Sequence, residues 1–251
     1  MDGKLAHVHG VEMRDARVVV IGASSGIGRG LVKVLLEEGA LVTAVGRSAE
    51  RLARLADEHP TEAHGCLRFQ TADLTQEESI RATFSAIGEV DHVVITAVTP
   101  VYGAIGELDM ARVRELVDCK LFGALHVAKH ARFDPAGSLL LTAGIAMERP
   151  GPGSAPIAAV NAGLVGLMRA LAVDLAPVRV NTLSPGWVDT PVWDRLAGAG
   201  KERILAEHAR RLPVGRVGSP RDVALAALAL MENGFVNASV LEVDGGHRLI
   251  R

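Results

Sequence analysis

The chain has 251 residues, of which 49% are hydrophobic and 22% are charged, and its formal net charge is −2. This composition excludes a disordered chain, and the small net charge gives no electrostatic basis for binding nucleic acid. No apolar run reaches the roughly 18 residues of a membrane span, and the N-terminus lacks a signal-peptide core, so we expect a cytoplasmic protein without a membrane partner. Two cysteines, Cys66 and Cys119, are too few for a disulfide framework and are expected to be buried thiols.

The first predicted elements are a buried strand and a helix that a glycine-rich turn connects. Residues 18–21 are all apolar, and the turn Gly-Ala-Ser-Ser-Gly-Ile-Gly follows at residues 22–28. Gly22 permits the tight turn, Gly26 lets backbone N–H groups approach a phosphate, and Gly28 lets the helix pack closely on the strand. The alternative is a plain glycine turn before a core helix. Because a strand precedes the turn and an amphipathic helix follows it, we predict a dinucleotide pyrophosphate site.

A second strand is predicted over residues 41–45 and leads into Gly46 and Arg47. About 20 residues past the phosphate turn, a protein that binds NAD carries an acid for the ribose 2′-hydroxyl. Here the acid is replaced by a guanidinium, whose charge and forked donors suit a 2′-phosphate. We therefore expect NADP(H) to be favoured over NAD(H), the alternative being that Arg47 is a solvated loop residue.

The rest of the chain continues to alternate between helices and strands. Strands are predicted over residues 67–71, 91–96, 138–142, 178–183 and 240–243, and helices near residues 48–58, 108–131, 155–175 and 220–231. Thr75 and Glu78 have the spacing of a capping box at the start of one more helix. This alternation predicts a single α/β domain, preceded by an extension at residues 1–16. Its doubly wound parallel sheet of about seven strands binds ligands at the carboxyl ends of the strands.

Two further features have competing interpretations. Residues 191–212 are predicted to be a mobile segment that covers a substrate, with Trp187 and Trp193 as apolar walls, and surface packing is an equal alternative. His126 and His130 are four residues apart on a predicted helix, which is half of a metal site. No carboxylate or thiol stands at a supporting position, so a solvated helix face is favoured and no metal is expected.

With these elements in order, the sequence resembles the short-chain dehydrogenase/reductase family over essentially its whole length. The phosphate turn matches closely, Asp73 resembles the family's adenine contact, and residues 179–190 resemble the strand and loop that hold the nicotinamide amide. The resemblance implies a Rossmann-type fold, a nicotinamide cofactor and a small-molecule substrate. The cofactor residues implied by the turn and by the resemblance are Gly22, Ser24, Ser25, Gly26, Ile27, Gly28, Arg47, Ser48, Asp73, Leu74, Ala97, Pro185, Gly186, Val188 and Thr190.

The catalytic positions of that family carry other residues here. The family's Tyr-x-x-x-Lys pair stands on the helix predicted at residues 155–175, where its lysine precedes Ala-Gly. Asn161 takes the place of that lysine, and Ile157 takes the place of the tyrosine. The family's serine falls on Gly144 and its asparagine on Lys120. The single tyrosine, Tyr102, has a glycine four residues later, so the sequence contains no Tyr-x-x-x-Lys pair.

These differences bear on the reaction that the resemblance implies. Ketone reduction needs a proton at oxygen as well as a hydride at carbon, and a positioned acid is worth about 10²–10⁴ in rate. Neither Ile157 nor Gly144 supplies such a group. We therefore expect an oxidoreductase that transfers hydride from NADP(H) to an activated electrophile such as an iminium ion. The alternatives are a non-redox enzyme and a catalytically silent sensor or partner protein that binds NADP(H).

Replacement catalytic residues are expected near the carboxyl ends of the strands. Lys120 and Asn161 look like an exchanged pair, with Lys120 within hydrogen-bond reach of Asn161 or of the cofactor ribose, directly or through one water. Partial burial should lower the pKa of Lys120, and the alternative is that its ammonium extends into solvent. Other possible donors, each also explained as a turn or packing residue, are Thr142, Tyr102, Ser154 and Asp189.

The resemblance also implies an oligomer. Family members form dimers or tetramers through two long helices, which here are the helices predicted at residues 108–131 and 155–175. Small side chains let such helices approach each other closely. The second helix offers a face of Ala158, Ala162, Gly166 and Ala170. We therefore expect a homodimer or homotetramer.

Overall fold

The computed structural model describes residues 12–58 and 67–250. Its strands are β1 (Arg17–Ile21), β2 (Leu41–Gly46), β3 (Leu67–Thr71), β4 (Glu89–Ile95), β5 (Arg132–Thr142), β6 (Arg179–Pro185) and β7 (Val240–Val243). They form one seven-stranded sheet in the order β3-β2-β1-β4-β5-β6-β7, and each neighbouring pair is parallel. The predicted α/β fold with a Rossmann-type, doubly wound parallel sheet is confirmed.

Helices cover both faces of this sheet. They are α1 (Gly26–Glu37), α2 (Ala49–Glu58), α3 (Glu77–Ile87), α4 (Met110–Val117), α5 (Gly123–His130), α6 (Ala155–Asp174), α7 (Val192–Ala197), α8 (Lys201–Arg211) and α9 (Pro220–Glu232). Successive side chains of a strand point to opposite faces, so β1 serves two cores. Val18 and Val20 join the core under α1, α2 and α9, whereas Val19 and Ile21 join the core under α3, α5 and α6.

The strand order places a crevice at the centre of the sheet. β1 pairs with β2 on one side and with β4 on the other. Strands β2 and β3 are added on one side of β1 and strands β4 to β7 on the other, so the order of the strands switches between β1 and β4. In an open α/β sheet the ligand binds outside the carboxyl ends of the strands at this switch. The turns that follow β1, β2, β4, β5 and β6 therefore surround one candidate site.

Several predicted elements have different bounds in the structure. The helix predicted at residues 108–131 consists of α4 and α5 joined by a π-helical turn, Asp118–Phe122. β4 and β5 begin at Glu89 and Arg132, earlier than predicted. Residues 191–212 contain α7 and α8 and are mostly helical. Helix α8 was not predicted, because most of its residues are polar and only Leu205 among them is buried. One buried residue gives no apolar period by which the sequence could indicate a helix.

The capping box predicted at Thr75 is wrong. Gln76 is the N-cap of α3 and makes no side-chain cap bond within the described chain. The Thr75 backbone N–H and hydroxyl both donate to Asp73 Oδ1, at 3.0 and 2.8 Å, and this turn keeps Thr75 outside the helix, one residue before its N-cap. A capping box does start α9, where Ser219 and Asp222 exchange side-chain and backbone bonds.

Two predictions concern residues at the margins of the described chain. The extension predicted at residues 1–16 is described from Glu12 onwards, and there Met13 and Ala16 are buried in the core beside α1. Cys119 is buried, whereas Cys66 lies outside the described residues.

Within the described residues, α6 alone has the length and apolar composition of a membrane span. Core helices share these properties, and α6 packs against β6 with one side in the core.

Candidate active site

The glycine-rich turn after β1 is tightly packed against the end of β4. Gly22 has a φ of +93°, and a Cβ there would lie 2.6 Å from the Ala97 backbone nitrogen and 2.7 Å from Thr96 Oγ1. A Cβ on Gly28 would collide with the Gly22 carbonyl, so any side chain would separate α1 from β1. Both glycines are therefore required by close backbone approach, which is the role predicted from the sequence.

The start of α1 is suited to an anion. Ser25 is its N-cap residue, and among the described residues no side chain caps this helix and no acid stands in its first turn. The first backbone N–H groups and the positive end of the helix dipole are therefore left for a ligand. Gly26 has a φ of +53°, and a Cβ there would meet Thr190, which follows β6, at 3.4 Å. The N–H groups at the start of α1, next to Thr190, are therefore suited to an anionic group.

The side chains at the other end of the crevice come from β2, β3 and α4. Arg47 follows β2 with 62% of its side chain exposed, and its Nη1 lies 3.8 Å from Glu115 Oε1 on α4. Ser48 Oγ accepts a hydrogen bond from the Arg51 backbone at the start of α2. Asp73 follows β3 and accepts from the next turn through Oδ1. The groups expected to contact adenosine thus share one edge of the sheet.

The loop after β6 forms the opposite wall. The Gly186 backbone nitrogen donates to the Val243 carbonyl of β7 at 3.1 Å, and Val188 pairs with Gly218 in an isolated bridge. A Cβ on Gly186 would lie 2.8 Å from Asp244 Cα, so the loop rests directly on the C-terminal segment. The family resemblance assigns the nicotinamide of the cofactor to residues 186–190, and we name these residues the nicotinamide loop. The backbone contacts above hold this loop in place.

Lys120 is buried at the carboxyl end of β5. It lies in the π-helical turn, has 5% of its surface exposed, and its ammonium donates a hydrogen bond to the Thr142 carbonyl. Burial lowers the pKa of Lys120 to about 8. The alternative that this lysine extends into solvent is therefore wrong, and the ammonium stands at the strand end where a Rossmann-type fold places its ligand.

Asn161 approaches the same strand end from α6. Its surface is 2% exposed, and Nδ2 donates to the Gly144 carbonyl at 3.3 Å. In the described chain Lys120 and Asn161 make no direct hydrogen bond, but their acceptors, Thr142 and Gly144, are neighbours along one loop. Asn161 Oδ1 and Thr142 Oγ1 are both buried without a partner among the described residues. Buried polar atoms of this kind need a hydrogen-bond partner from a water or a ligand. They therefore indicate a polar binding position at this strand end.

Ile157, which the resemblance assigns to the family's tyrosine position, is part of the apolar packing. It is 5% exposed and belongs to a cluster with Val101 and Val160. Tyr102 lies in the loop after β4 with 47% of its surface exposed. The next residue, Gly103, donates its backbone N–H to the Gly153 carbonyl at 3.0 Å, which links this loop to the one before α6.

The histidines with metal-like spacing have other partners. His126 Nδ1 lies 3.1 Å from the Leu74 carbonyl, and His130 Nε2 lies 3.0 Å from Glu77 Oε1. These contacts connect α5 to the chain around α3. The described residues contain no group of three or more His, Cys, Asp or Glu side chains with metal-binding geometry.

Two contributions escaped the sequence analysis. Arg179, which the resemblance grouped with the nicotinamide strand, donates from its buried guanidinium to the carbonyls of Leu230 and Met231 at the end of α9. His208 of α8 stacks on Trp187 in the nicotinamide loop. No local sequence pattern predicts either contact. Each contact joins two elements that are distant in sequence and become neighbours only when the layers pack.

Comparisons with known proteins agree with this geometry. A family model described as enoyl-(acyl carrier protein) reductase matches residues 22–248. A short-chain dehydrogenase/reductase of Gibberella fujikuroi, fsr5, is 33% identical, and the match covers 94% of this chain and 95% of that protein. The chain belongs to the short-chain dehydrogenase/reductase (SDR) family. Members of this family bind nicotinamide cofactors, and the SDR relatives are oxidoreductases.

Solved SDR structures share the whole architecture. The MalC reductase/Diels-Alderase of Malbranchea aurantiaca superimposes with a TM-score of 0.88 at 29% identity, covering 94% of this chain and 98% of MalC. A small-chain dehydrogenase in complex with NADPH superimposes with a TM-score of 0.77 at 27% identity, covering 94% and 99% of the two chains. The SDR resemblance predicted from the motifs is thus confirmed at the level of family and fold.

Proposed function

We propose that this SDR protein is an NADP(H)-dependent oxidoreductase with a non-standard active site that transfers hydride to an activated small-molecule electrophile. The observation that carries this proposal is the buried Lys120 ammonium at the carboxyl end of β5. The family resemblance assigns Ile157 and Gly144 to the tyrosine and serine positions, and neither residue supplies an acid. An ionisable group is thus retained beside the expected ligand, but it approaches from a different helix.

The choice of NADP(H) rests on Arg47. This guanidinium follows β2, is mostly exposed, and stands where an acid would select NAD. Arginine binds a phosphate through two parallel N–H donors and retains its charge at every physiological pH. A related structure contains NADPH, which supports the same cofactor class.

The protein's own residues orient and shield the reaction. When NADP(H) is bound, it supplies the hydride. The start of α1 binds the pyrophosphate, Arg47 binds the 2′-phosphate, and the nicotinamide loop orients the nicotinamide ring. Ile157 and Val101 pack together in one buried apolar cluster at the loop after β4. The Lys120 ammonium keeps two N–H donors beyond its bond to Thr142, which can reach a water or a substrate near Asn161 Oδ1.

An iminium ion fits this arrangement better than a ketone does. Its carbon accepts hydride while the C=N electron pair returns to nitrogen, so no acid is needed at the reacting centre. A ketone would need a proton at oxygen from the wall that Ile157 occupies. With a pKa of about 8, Lys120 keeps its proton in most of the population at pH 7, and its repulsion of a cationic substrate disappears only as the pH rises above that value.

A second candidate is a non-redox reaction on the same scaffold. MalC is described as both a reductase and a Diels-Alderase, and it covers nearly the full length of this chain. A site that binds a dinucleotide and encloses an apolar substrate can also hold that substrate in a folded conformation for ring closure. A silent NADP(H)-binding sensor or partner protein is the third possibility.

We further propose a cytoplasmic homodimer or homotetramer that forms through α5 and α6. On α6, Ala162, Gly166 and Ala170 are exposed, and a Cβ on Gly166 would meet nothing within 4 Å. Phe122, before α5, is 50% exposed and Val173, on α6, is 76% exposed. A small-residue face flanked by exposed apolar side chains suits helix-to-helix contact with a second copy.

The deciding experiment measures NADPH oxidation with matched cyclic iminium ions and ketones. We expect turnover of iminium ions and ketone rates lower by about 100-fold or more, since a positioned acid is worth that factor. We expect Lys120→Met to change the pH dependence of turnover and to leave the fold intact, because methionine is isosteric and uncharged. Brisk ketone reduction would contradict the proposed chemistry. NADPH binding without oxidation across the panel would favour the sensor, and ring closure without oxidation would favour the non-redox enzyme.

A further inference from the structure

Both tryptophans of the chain lie in one aromatic stack beside the nicotinamide loop. Trp187 of the loop is the central ring. Trp193 of α7 stacks on it with ring centroids 4.2 Å apart and an angle of 11° between planes. His208 of α8 also stacks on Trp187, with centroids 3.3 Å apart and an angle of 19°. We name these three rings the aromatic clamp, because they join α7 and α8 to the loop.

Other contacts fix the same segment to the same loop. The Trp193 indole Nε1 donates to the Val188 carbonyl at 2.9 Å. The Lys201 ammonium at the start of α8 lies 2.9 Å from Asp189 and 3.1 Å from Asp194. The two aspartates are more than half exposed, so these pairs stabilise little by themselves. The aromatic clamp is therefore the main contact through which α8 can act on the position of residues 186–190.

The protonation state of His208 is coupled to this stack. Burial lowers the pKa of His208, and the charges of Arg211 on its own helix and of His247 lower it further, whereas Glu207 raises it. Attraction between an imidazolium and the indole face partly offsets these effects. The burial of His208 and the positive charges around it favour the neutral ring in the stack.

The C-terminal segment contributes further groups that face the clamp. The centroid of the His247 ring lies 6.5 Å from those of Trp187 and His208. Burial and the charge of Arg149 lower the pKa of His247, whereas Asp244 raises it. His247 Nδ1 is buried without a hydrogen-bond partner among the described residues. Protonation of either histidine therefore places a positive charge 6.5 Å from the ring of the other histidine, and the buried His247 Nδ1 has no acceptor among the described residues.

We propose that His208 is a positioning residue that, as a neutral ring stacked on Trp187, holds α8 against the nicotinamide loop and releases it when protonated. The stacking geometry carries this inference, and its consequence for cofactor binding rests on the proposed function. Acidification below the ordinary titration range of histidine unstacks His208, frees the loop and weakens cofactor binding. His208 touches neither cofactor nor substrate in this proposal, since it acts through Trp187.

Tryptophan fluorescence of the protein without cofactor tests the clamp directly, because both tryptophans report on it. Between pH 7.5 and 5.0 we expect the emission of the wild type to shift to longer wavelength, with a midpoint below the ordinary value of about 6.5 for histidine. His208→Phe retains a stacking ring that cannot titrate and should show no such shift. His130→Gln, distant on α5, should behave as the wild type does. Quenching without a wavelength shift would mean that the charged ring stays stacked, which would overturn the proposal.

A second variant keeps the test decisive if His208→Phe folds poorly. His247→Phe removes one repulsive charge, so the midpoint should move to higher pH. An unchanged midpoint would contradict the described electrostatics. Calorimetry with NADPH at pH 7.5 and 5.5 then tests the link to binding. We expect the dissociation constant of the wild type to rise at least about fivefold more than that of His208→Phe, the lower range of coupling between sites.

The calorimetric comparison separates the two proposals. The titration of the cofactor's own phosphate affects both proteins equally, so the difference between them reports on His208. Equal rises in the wild type and His208→Phe would overturn the positioning role. If NADPH fails to bind at either pH while the fluorescence shift is present, the proposed cofactor is wrong and the coupling to it is overturned, but the clamp itself stands.

Discussion

Arg47 and Glu115 face each other across the end of the crevice where we propose that adenosine binds. Their 3.8 Å ion pair is exposed on both sides, so it holds Arg47 only weakly when no phosphate is present. Arg47→Ala should weaken NADPH binding by roughly tenfold or more and leave NADH binding nearly unchanged, because only the 2′-phosphate loses a charge-assisted hydrogen bond. Calorimetric titration with both cofactors measures the change.

Glu115→Gln is the matched variant for this prediction. Removing the competing carboxylate should strengthen NADPH binding by a few-fold, about the value of an exposed ion pair, and the gain should disappear in the Arg47→Ala background. Glu50, which pairs with Arg54 on α2, offers a control, since Glu50→Gln should change neither cofactor's affinity. Equal loss of NADPH and NADH binding in Arg47→Ala would count against a role in 2′-phosphate recognition.

At the scale of elements, Arg179 joins the start of β6 to the end of α9. Its buried guanidinium donates to the carbonyls of Leu230, Met231 and Val236 at 2.6, 2.7 and 3.2 Å. Without these donors the last carbonyls of the helix would be buried and unpaired. Arg179→Met should therefore lower the free energy of unfolding by about 2–4 kcal/mol, which chemical denaturation measures.

Two variants show whether the hydrogen bonds or the charge matters at this junction. Arg179→Lys should recover part of the loss, because an ammonium keeps the charge but not the planar fork of donors. Arg221 on the same helix pairs with Glu37 at the surface, with 56% of its side chain exposed, so Arg221→Met should cost under about 1 kcal/mol. A similar cost for Arg179→Met and Arg221→Met would contradict the buried-donor account.

At the scale of the whole molecule, acid stability should depend on His92. This residue is fully buried between strands, its Nδ1 lies 2.8 Å from Ser138 Oγ, and burial lowers its pKa from 6.5 to about 4. Because the unfolded chain binds a proton that the folded chain rejects, stability is complete above pH 6.5 and falls towards pH 4. The loss between pH 7.5 and 5.0 should be about 2 kcal/mol.

Denaturation of the wild type and of His92→Gln at both pH values isolates this contribution. The variant is expected to be less stable at pH 7.5 but to lose about 2 kcal/mol less on acidification. The titration of paired carboxylates does not affect this comparison of stability between pH 7.5 and 5.0. Paired groups such as Glu77 and Asp222 have lowered pKa values, so their contribution is lost only below about pH 4. Parallel losses in the two proteins would show that His92 is not the acid-sensitive group.

Patterns between near neighbours determined most of the fold and the cofactor end of the candidate site. The alternation of apolar strands and amphipathic helices predicted the layers, and the turn at residues 22–28 predicted its own close packing, because those features depend on local geometry. The absence of a Tyr-x-x-x-Lys pair could be read directly from the single tyrosine. Thr75 shows the limit of such patterns, because α3 begins one residue later than they predict, with Gln76 as its N-cap.

Tertiary structure alone decided the contacts between distant elements. Lys120 donates to the Thr142 carbonyl, 22 residues away, because the π-helical turn directs its side chain towards β5. Arg179 donates to carbonyls more than 50 residues away because α9 packs beside β6. The stacking of His208 on Trp187 likewise depends on how α8 lies against the nicotinamide loop. Periodicity states which face of an element is apolar, but the partner opposite that face is set by the packing of whole layers.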